Sequence, residues 1–104
     1  MEIDPKTLQD RLLARNPPLV LDVRQPHEWA AEGIIEGALL IPMNELPARL
    51  AEIPADREVA AVCHRGIRSL NAAVWLRQMG RNVISMSGGM AQWKALGLPT
   101  AAAR

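Results

Sequence analysis

The only cysteine of this chain, Cys63, opens a short segment whose residue types could support nucleophilic chemistry. The segment reads Cys63-His64-Arg65-Gly66-Ile67-Arg68-Ser69 and places a thiol beside two arginines, a histidine and a glycine. A free thiol has a pKa near 8.5 and is only about 3% thiolate at pH 7, so a nucleophilic cysteine needs cations or N–H dipoles around its anion. The segment therefore predicts an anion-binding loop built around a candidate nucleophile.

The residues on either side of the loop predict the elements that hold it. The apolar run Val59 to Val62 predicts a buried strand, and the apolar positions from about Ile67 to Met79 predict a helix that Gly80 ends. Backbone N–H groups at a helix N-terminus lack intrahelical partners and favour an anion or a thiolate. Cys63 is thus expected in the connection between a strand and the N-terminus of such a helix.

Other side chains of the loop suit the same role. Gly66 lets the backbone curl without filling the loop, Arg65 and Arg68 add positive charge, and Ser69 can donate to the loop or cap the helix. The alternative is that a lone cysteine after a buried strand is a small hydrophobic core residue. Because burying a charged loop costs free energy, we expect Cys63 to stay accessible to solvent.

The wider pattern predicts an α/β fold. Short apolar runs predict strands at Leu19-Val20-Leu21, Leu39-Leu40-Ile41, Val59-Ala60-Ala61-Val62 and Val83-Ile84. Helices are predicted between them: one capped by Asp4 with Pro5 at its first position, one over Pro26 to Ala31, one from Asn44 to about Ile53, and a last one after Gly88-Gly89 that holds Trp93. This alternation predicts a three-layer α/β/α sandwich with a central, mainly parallel sheet.

Ligands of such sheets bind at the carboxyl ends of the strands. Asp22 and Arg24 follow the first predicted strand and belong on the same edge as Cys63. We expect the Asp22 carboxylate to accept N–H hydrogen bonds from neighbouring loops and Arg24 to pair with Glu28. Both residues would then orient the cysteine loop without contacting the substrate.

Composition excludes several other classes of function. With 104 residues, 49% of them hydrophobic, the chain predicts a single domain over residues 1–104, with a loose tail from about residue 100. A net charge of +1 without a basic cluster predicts no nucleic-acid partner and no membrane partner. No Cys/His cluster has the spacing of a metal site, no cofactor is expected, and a cytoplasmic protein without a signal segment is the prediction.

Four segments, in this order, resemble the signatures of single-domain rhodanese-like sulfurtransferases over nearly the whole chain. They are Leu21-Asp22-Val23-Arg24 with Glu28-Trp29, the stretch Gly33 to Pro42, the cysteine loop with its six-residue cradle from Cys63 to Arg68, and Gly88-Gly89 with Trp93, Gly97 and Pro99. Two positions depart from that pattern: Ile34 stands where the family usually has His, and Glu36 where it usually has Pro.

The resemblance implies sulfur transfer without a cofactor. Cys63 would take the outer sulfur of thiosulfate or a related small anion as a persulfide and pass it to cyanide, a thiol or a protein acceptor. The substrate-binding residues it implies are His64, Arg65, Gly66, Ile67 and Arg68, with Asp22, Arg24 and Ser69 supporting them. Within this set, Arg65 is assigned to attraction of the donor, and Arg68 to loop structure and anion contact.

Two alternatives stay open. The first is a persulfide relay that delivers sulfur to a protein or a tRNA-modifying partner, because accessible cysteine chemistry serves both. The second is a phosphatase or arsenate reductase, since the cell-cycle dual-specificity phosphatases resemble rhodaneses in fold. Those enzymes have five residues between cysteine and arginine, whereas four separate Cys63 from Arg68, and this loop has no carboxylate to serve as general acid.

Overall fold

The computed structural model describes residues 1–103 and is built on a five-stranded parallel sheet with the strand order β1-β5-β4-β2-β3. The strands are Glu2–Ile3 (β1), Leu19–Asp22 (β2), Leu39–Leu40 (β3), Val59–Val62 (β4) and Val83–Met86 (β5). The helices are Pro5–Leu12 (α1), Pro26–Glu32 (α2), Ile67–Gln78 (α3) and Gly89–Ala95 (α4). The predicted parallel α/β sandwich is confirmed, and β1 is an additional edge strand.

Helices cover both faces of the sheet and create two hydrophobic cores. One core joins α3 to the sheet and contains Val59, Ala61 and Cys63, while the other joins α1 and α4 to the opposite face and contains Ala60 and Val62. Alternate residues of β4 therefore enter different cores, as the pleat of a strand requires. The cysteine side chain consequently lies on the α3 face.

Helix α1 begins as its sequence predicts. The Asp4 side chain accepts a hydrogen bond from the Thr7 backbone N–H at 2.9 Å, and Pro5 takes the first helical position. Such a cap satisfies one of the N–H groups that have no partner within the helix. None of the helices within residues 1–103 is long and apolar enough to cross a membrane.

The helix predicted from Asn44 to Ile53 is wrong. The chain forms two separate 3-10 turns there, Met43–Glu45 and Leu50–Glu52. Pro47 has no N–H to donate to the Met43 carbonyl, and the Leu46 N–H bonds that carbonyl instead at 3.3 Å. Asn44 caps no helix, because its side-chain oxygen accepts a hydrogen bond from Gln25 Nε2 at 3.1 Å.

The prediction of a loose tail from about residue 100 is wrong at Ala101. Its backbone exchanges two hydrogen bonds with Ile34, at 2.8 and 2.9 Å, and forms an isolated antiparallel bridge. Ile34, one of the two positions that depart from the resembled pattern, forms this bridge and is buried. The last residue of the predicted tail, Arg104, lies outside the described residues.

Candidate active site

Cys63 lies directly after β4, and its side chain turns back under the loop that follows it. The sulfur accepts hydrogen bonds from the Gly66 N–H at 3.1 Å and from the Ser69 N–H at 3.3 Å. Gly66 precedes the first residue of α3 in a left-handed conformation (φ 96°), which brings its N–H onto the sulfur. The helix N-terminus therefore supplies N–H dipoles to Cys63, as the sequence predicts.

The first turn of α4 holds the loop from below. The Met90 N–H donates to the Cys63 carbonyl at 2.8 Å, and the Ala91 N–H donates to the His64 carbonyl at 2.9 Å. Gly89 lies so close that a Cβ added there would be 2.3 Å from the His64 carbonyl oxygen. Helix α4 therefore holds two carbonyl groups of the loop in place.

The expectation that Cys63 is accessible is wrong, because only 1% of the residue is exposed. The sulfur points into the protein, where it accepts hydrogen bonds from Gly66 and Ser69. The charged side chains that were expected to keep Cys63 accessible lie further out. Arg65 is exposed and Arg68 is half-buried.

Arg68 is anchored to α2. Its two terminal nitrogens donate to the two carboxylate oxygens of Glu28 at 2.8 and 2.9 Å, a bidentate pair. Hydrogen bonding from Arg68 lowers the pKa of Glu28 from 4.5 to about 2. The same hydrogen bond, followed by the charges of Glu28, Cys63 and Asp22, raises the pKa of Arg68. Glu28, which was predicted to pair with Arg24, thus binds Arg68 and fixes the end of the cysteine loop that is furthest from Cys63.

Arg65 and Ile67 form the outer side of the loop. The Arg65 guanidinium makes no hydrogen bond or ion pair within residues 1–103, and Ile67 exposes 71% of its surface. Several backbone N–H groups of the loop also have no acceptor among residues 1–103, namely those of His64, Arg65, Ile67 and Arg68. One unpaired cation and several free donors are therefore available to an incoming anion.

Asp22 and Arg24 form a buried ion pair with each other, and the predicted pairing of Arg24 with Glu28 is wrong. Arg24 donates to Asp22 from its side chain at 2.8 to 3.2 Å, and both side chains are fully buried. Arg24 also reaches Glu32 at 3.1 Å and the Gly33 carbonyl at 2.7 Å, because α2 ends beside it. Neither side chain bonds to residues 63–69.

The link from this pair to the loop runs through Glu32. One Glu32 oxygen lies 3.6 Å from Nδ1 of His64, and that nitrogen is buried without a hydrogen-bond partner among the described residues. His64 thus lies at the point where α2 approaches the loop. Glu32 was not singled out from the sequence, since a charged residue near a helix end is commonly solvated.

Ser69 and Ser85 complete the surroundings of the sulfur. Ser69 Oγ lies 3.3 Å from Cys63 Sγ and 2.8 Å from Ser85 Oγ, and both serines are fully buried. Ser85 was missed from the sequence, although a serine that shares a strand face with buried Val83 is a signal of a polar contact. The site therefore combines a cysteine, the N-terminus of α3, two arginines and a buried hydroxyl pair.

A family model described as a rhodanese-like domain matches residues 4–96. The chain is 41% identical over 102 residues to a sulfurtransferase of Allochromatium vinosum, which covers 97% of this chain and 94% of that protein. It is 31% identical over 93 residues to a putative sulfurtransferase of Bacillus subtilis, YtwF, with 89% of each chain covered.

The fold is also similar to that of solved structures. A rhodanese-related protein from Thermoplasma volcanium superimposes with a TM-score of 0.90 at 31% identity, with 98% of each chain covered. The match spans both cores and the cysteine loop, since it leaves almost no part of either chain out.

Proposed function

Because the chain belongs to the rhodanese-like domain family, we propose that it is a sulfurtransferase in which Cys63 carries the transferred sulfur as a persulfide. Thiosulfate or a related small anion is the donor, and cyanide or a thiol is the acceptor. The two relatives named sulfurtransferase support sulfur transfer in general.

In the first step the Cys63 thiolate attacks the outer sulfur of thiosulfate. A new S–S bond forms to Sγ, the S–S bond of the donor breaks, and sulfite leaves with the electron pair. Arg65 and the free N–H groups of the loop hold the donor's oxygens and stabilise the negative charge of the leaving sulfite. Arg65 has this role because its guanidinium has no partner among residues 1–103, whereas Arg68 is held by Glu28.

In the second step the acceptor attacks the terminal sulfur of the persulfide. The S–S bond to Sγ breaks, and Cys63 leaves as a thiolate that the N–H groups of Gly66 and Ser69 stabilise. With cyanide the product is thiocyanate. Covalent catalysis of this kind divides one difficult transfer into two easier ones.

One observation carries the proposal: the sulfur of Cys63 accepts two backbone N–H bonds at the N-terminus of a 12-residue helix. A core cysteine that only fills space does not need such donors. The arrangement stabilises negative charge on sulfur, which both steps require.

The persulfide relay is a second candidate, supported by the outer side of the loop. Ile67 is the first residue of α3 and exposes 71% of its surface, whereas Cys63, four residues earlier in the loop, is 1% exposed. A protein acceptor could contact this apolar side chain while its thiol reaches the persulfide. In that case a protein takes the place of cyanide or a small thiol in the second step.

The test is thiocyanate production from thiosulfate and cyanide, with Cys63→Ala as the control. We expect turnover by the wild type and none by the variant. Formation of the Cys63 persulfide from thiosulfate without transfer of its sulfur to cyanide or a small thiol would favour the relay. No reaction of the wild type with thiosulfate or any other sulfane donor would overturn the proposed function.

A further inference from the structure

Ser85 is a fully buried polar residue at a position that would otherwise be apolar. In β5 it shares a sheet face with Val83, which packs in the core beneath α3, and it is in register with Ala61 of β4. A buried hydroxyl costs free energy unless it is hydrogen-bonded. Its side chain has one such partner within residues 1–103, the hydroxyl of Ser69 at 2.8 Å.

Three atoms form a continuous chain: Ser85 Oγ, Ser69 Oγ and Cys63 Sγ, separated by 2.8 and 3.3 Å. A thiolate can only accept, so the Ser69 hydroxyl then donates to sulfur, and the Ser85 hydroxyl donates to Ser69. When the sulfur is a thiol that donates to Ser69, the Ser69 hydrogen turns to Ser85 instead. The direction of both hydroxyls thus depends on the charge of the sulfur.

We propose that Ser85 is a positioning residue that stabilises the Cys63 thiolate through Ser69. A hydroxyl that receives a hydrogen bond becomes a stronger donor, and this polarisation is largest where water is excluded. The proposal rests on the proposed function only in taking Cys63 as the nucleophile. Ser85 acts without touching the donor or the acceptor.

The test compares Ser85→Val with Ser85→Thr, two substitutions of the same shape of which only the second keeps the hydroxyl. The chain has one cysteine and no tyrosine, so the ultraviolet absorbance change on titration reports the Cys63 thiolate. Charged groups on the elements around the sulfur are unchanged in both variants: Arg68 of α3, Asp22 of β2 and His64 of the loop.

We expect Ser85→Val to titrate at higher pH, with a thiolate fraction about two- to fivefold lower on the acid side, and Ser85→Thr to follow the wild type. Coincident titrations of all three proteins would overturn the proposal, as would equal shifts in both variants. If Ser85→Thr does not fold, Ser85→Ala against the wild type gives the same contrast. Because the titration uses no sulfur donor, a failed thiosulfate reaction would count against the proposed function and leave this inference standing.

Discussion

Arg68 and Glu28 are 40 residues apart in the chain and form a bidentate ion pair at 2.8 and 2.9 Å. The pair joins the first turn of α3 to α2 and so closes the cysteine loop against a second element of the fold. One end of the loop is fixed by β4 and the other by this pair. Arg68 is therefore held in the structure of the loop, and Arg65 is the arginine that we propose for contact with the donor.

The first prediction concerns this ion pair and its dependence on pH. Since the pKa of Glu28 is lowered from 4.5 to about 2, the pair contributes its full stability above pH 4.5 and loses it as the pH falls through about 2. We expect Glu28→Gln to lower the free energy of unfolding by about 1–2 kcal/mol at neutral pH, because the amide keeps a hydrogen bond but not the charge.

Denaturant unfolding of both proteins at several pH values measures the effect. The difference between them should stay constant down to about pH 5 and shrink below it. Glu45→Gln is the control, since its ion pair with Arg49 is exposed and screened by solvent, so that its loss should change the free energy of unfolding much less. A difference that persists unchanged at pH values near the lowered pKa would contradict the assignment.

The second prediction separates the two half-reactions. Arg65→Glu should lower kcat/KM for thiosulfate by about tenfold or more, because only the donor step brings in a dianion. The rate of sulfur transfer from the persulfide to a small thiol should change much less. Single-turnover measurements of each step provide the comparison.

Arg15→Glu is the matched control for that experiment. It makes the same change in net charge at an exposed arginine between α1 and β2. This arginine precedes its strand, so it lies toward the amino ends of the parallel strands, whereas Cys63 lies at their carboxyl ends. We expect it to leave both steps nearly unchanged. Equal losses in both steps for Arg65→Glu would show that Arg65 has no special role toward the donor.

The third prediction concerns the contact between α4 and the cysteine loop. A Cβ at Gly89 would be 2.3 Å from the His64 carbonyl oxygen and 2.6 Å from the Arg65 nitrogen, both backbone atoms. Gly89→Ala should therefore displace the loop, lower the free energy of unfolding by about 3 kcal/mol or more and abolish most activity.

Gly97→Ala provides the comparison. Gly97 has a similar backbone conformation (φ 70° against 61°), yet no atom of the described residues lies within 4 Å of an added Cβ. It should lose only about 1–2 kcal/mol for the left-handed conformation and keep its activity. If thermal unfolding and activity respond alike in the two variants, the close packing of Gly89 on the loop is not what matters.

Much of the fold could be predicted from the sequence because its signals are local. The apolar runs of four strands, the Asp4 cap and the glycine after α3 each depend on neighbouring residues. Strand β1 was missed because two residues, Glu2–Ile3, are too short for a periodic pattern. The helix predicted from Asn44 was wrong because Pro47 interrupts the segment. Two separate 3-10 turns form there instead of one helix.

The sequence predicted the position of Cys63 at the N-terminus of a helix, but not which side chains pair around it. Cys63 and the N–H groups that surround it follow from the order strand, loop, helix. Arg24 was expected to pair with Glu28, but it binds Asp22 and Glu32 instead. Glu28 binds Arg68, because only the placement of α2 decides which carboxylate each arginine meets. The contact between Ser69 and Ser85 likewise depends on the packing of α3 against β5, which no short stretch of sequence encodes.

The mass of the isolated protein after exposure to thiosulfate shows whether Cys63 carries the transferred sulfur. We expect the wild type to gain the mass of one sulfur atom, localised by peptide mapping to Cys63, and to lose it when cyanide is added. Cys63→Ser should gain nothing. An unmodified wild type after treatment with thiosulfate and other sulfane donors, or a sulfur adduct that persists in Cys63→Ser, would contradict the account.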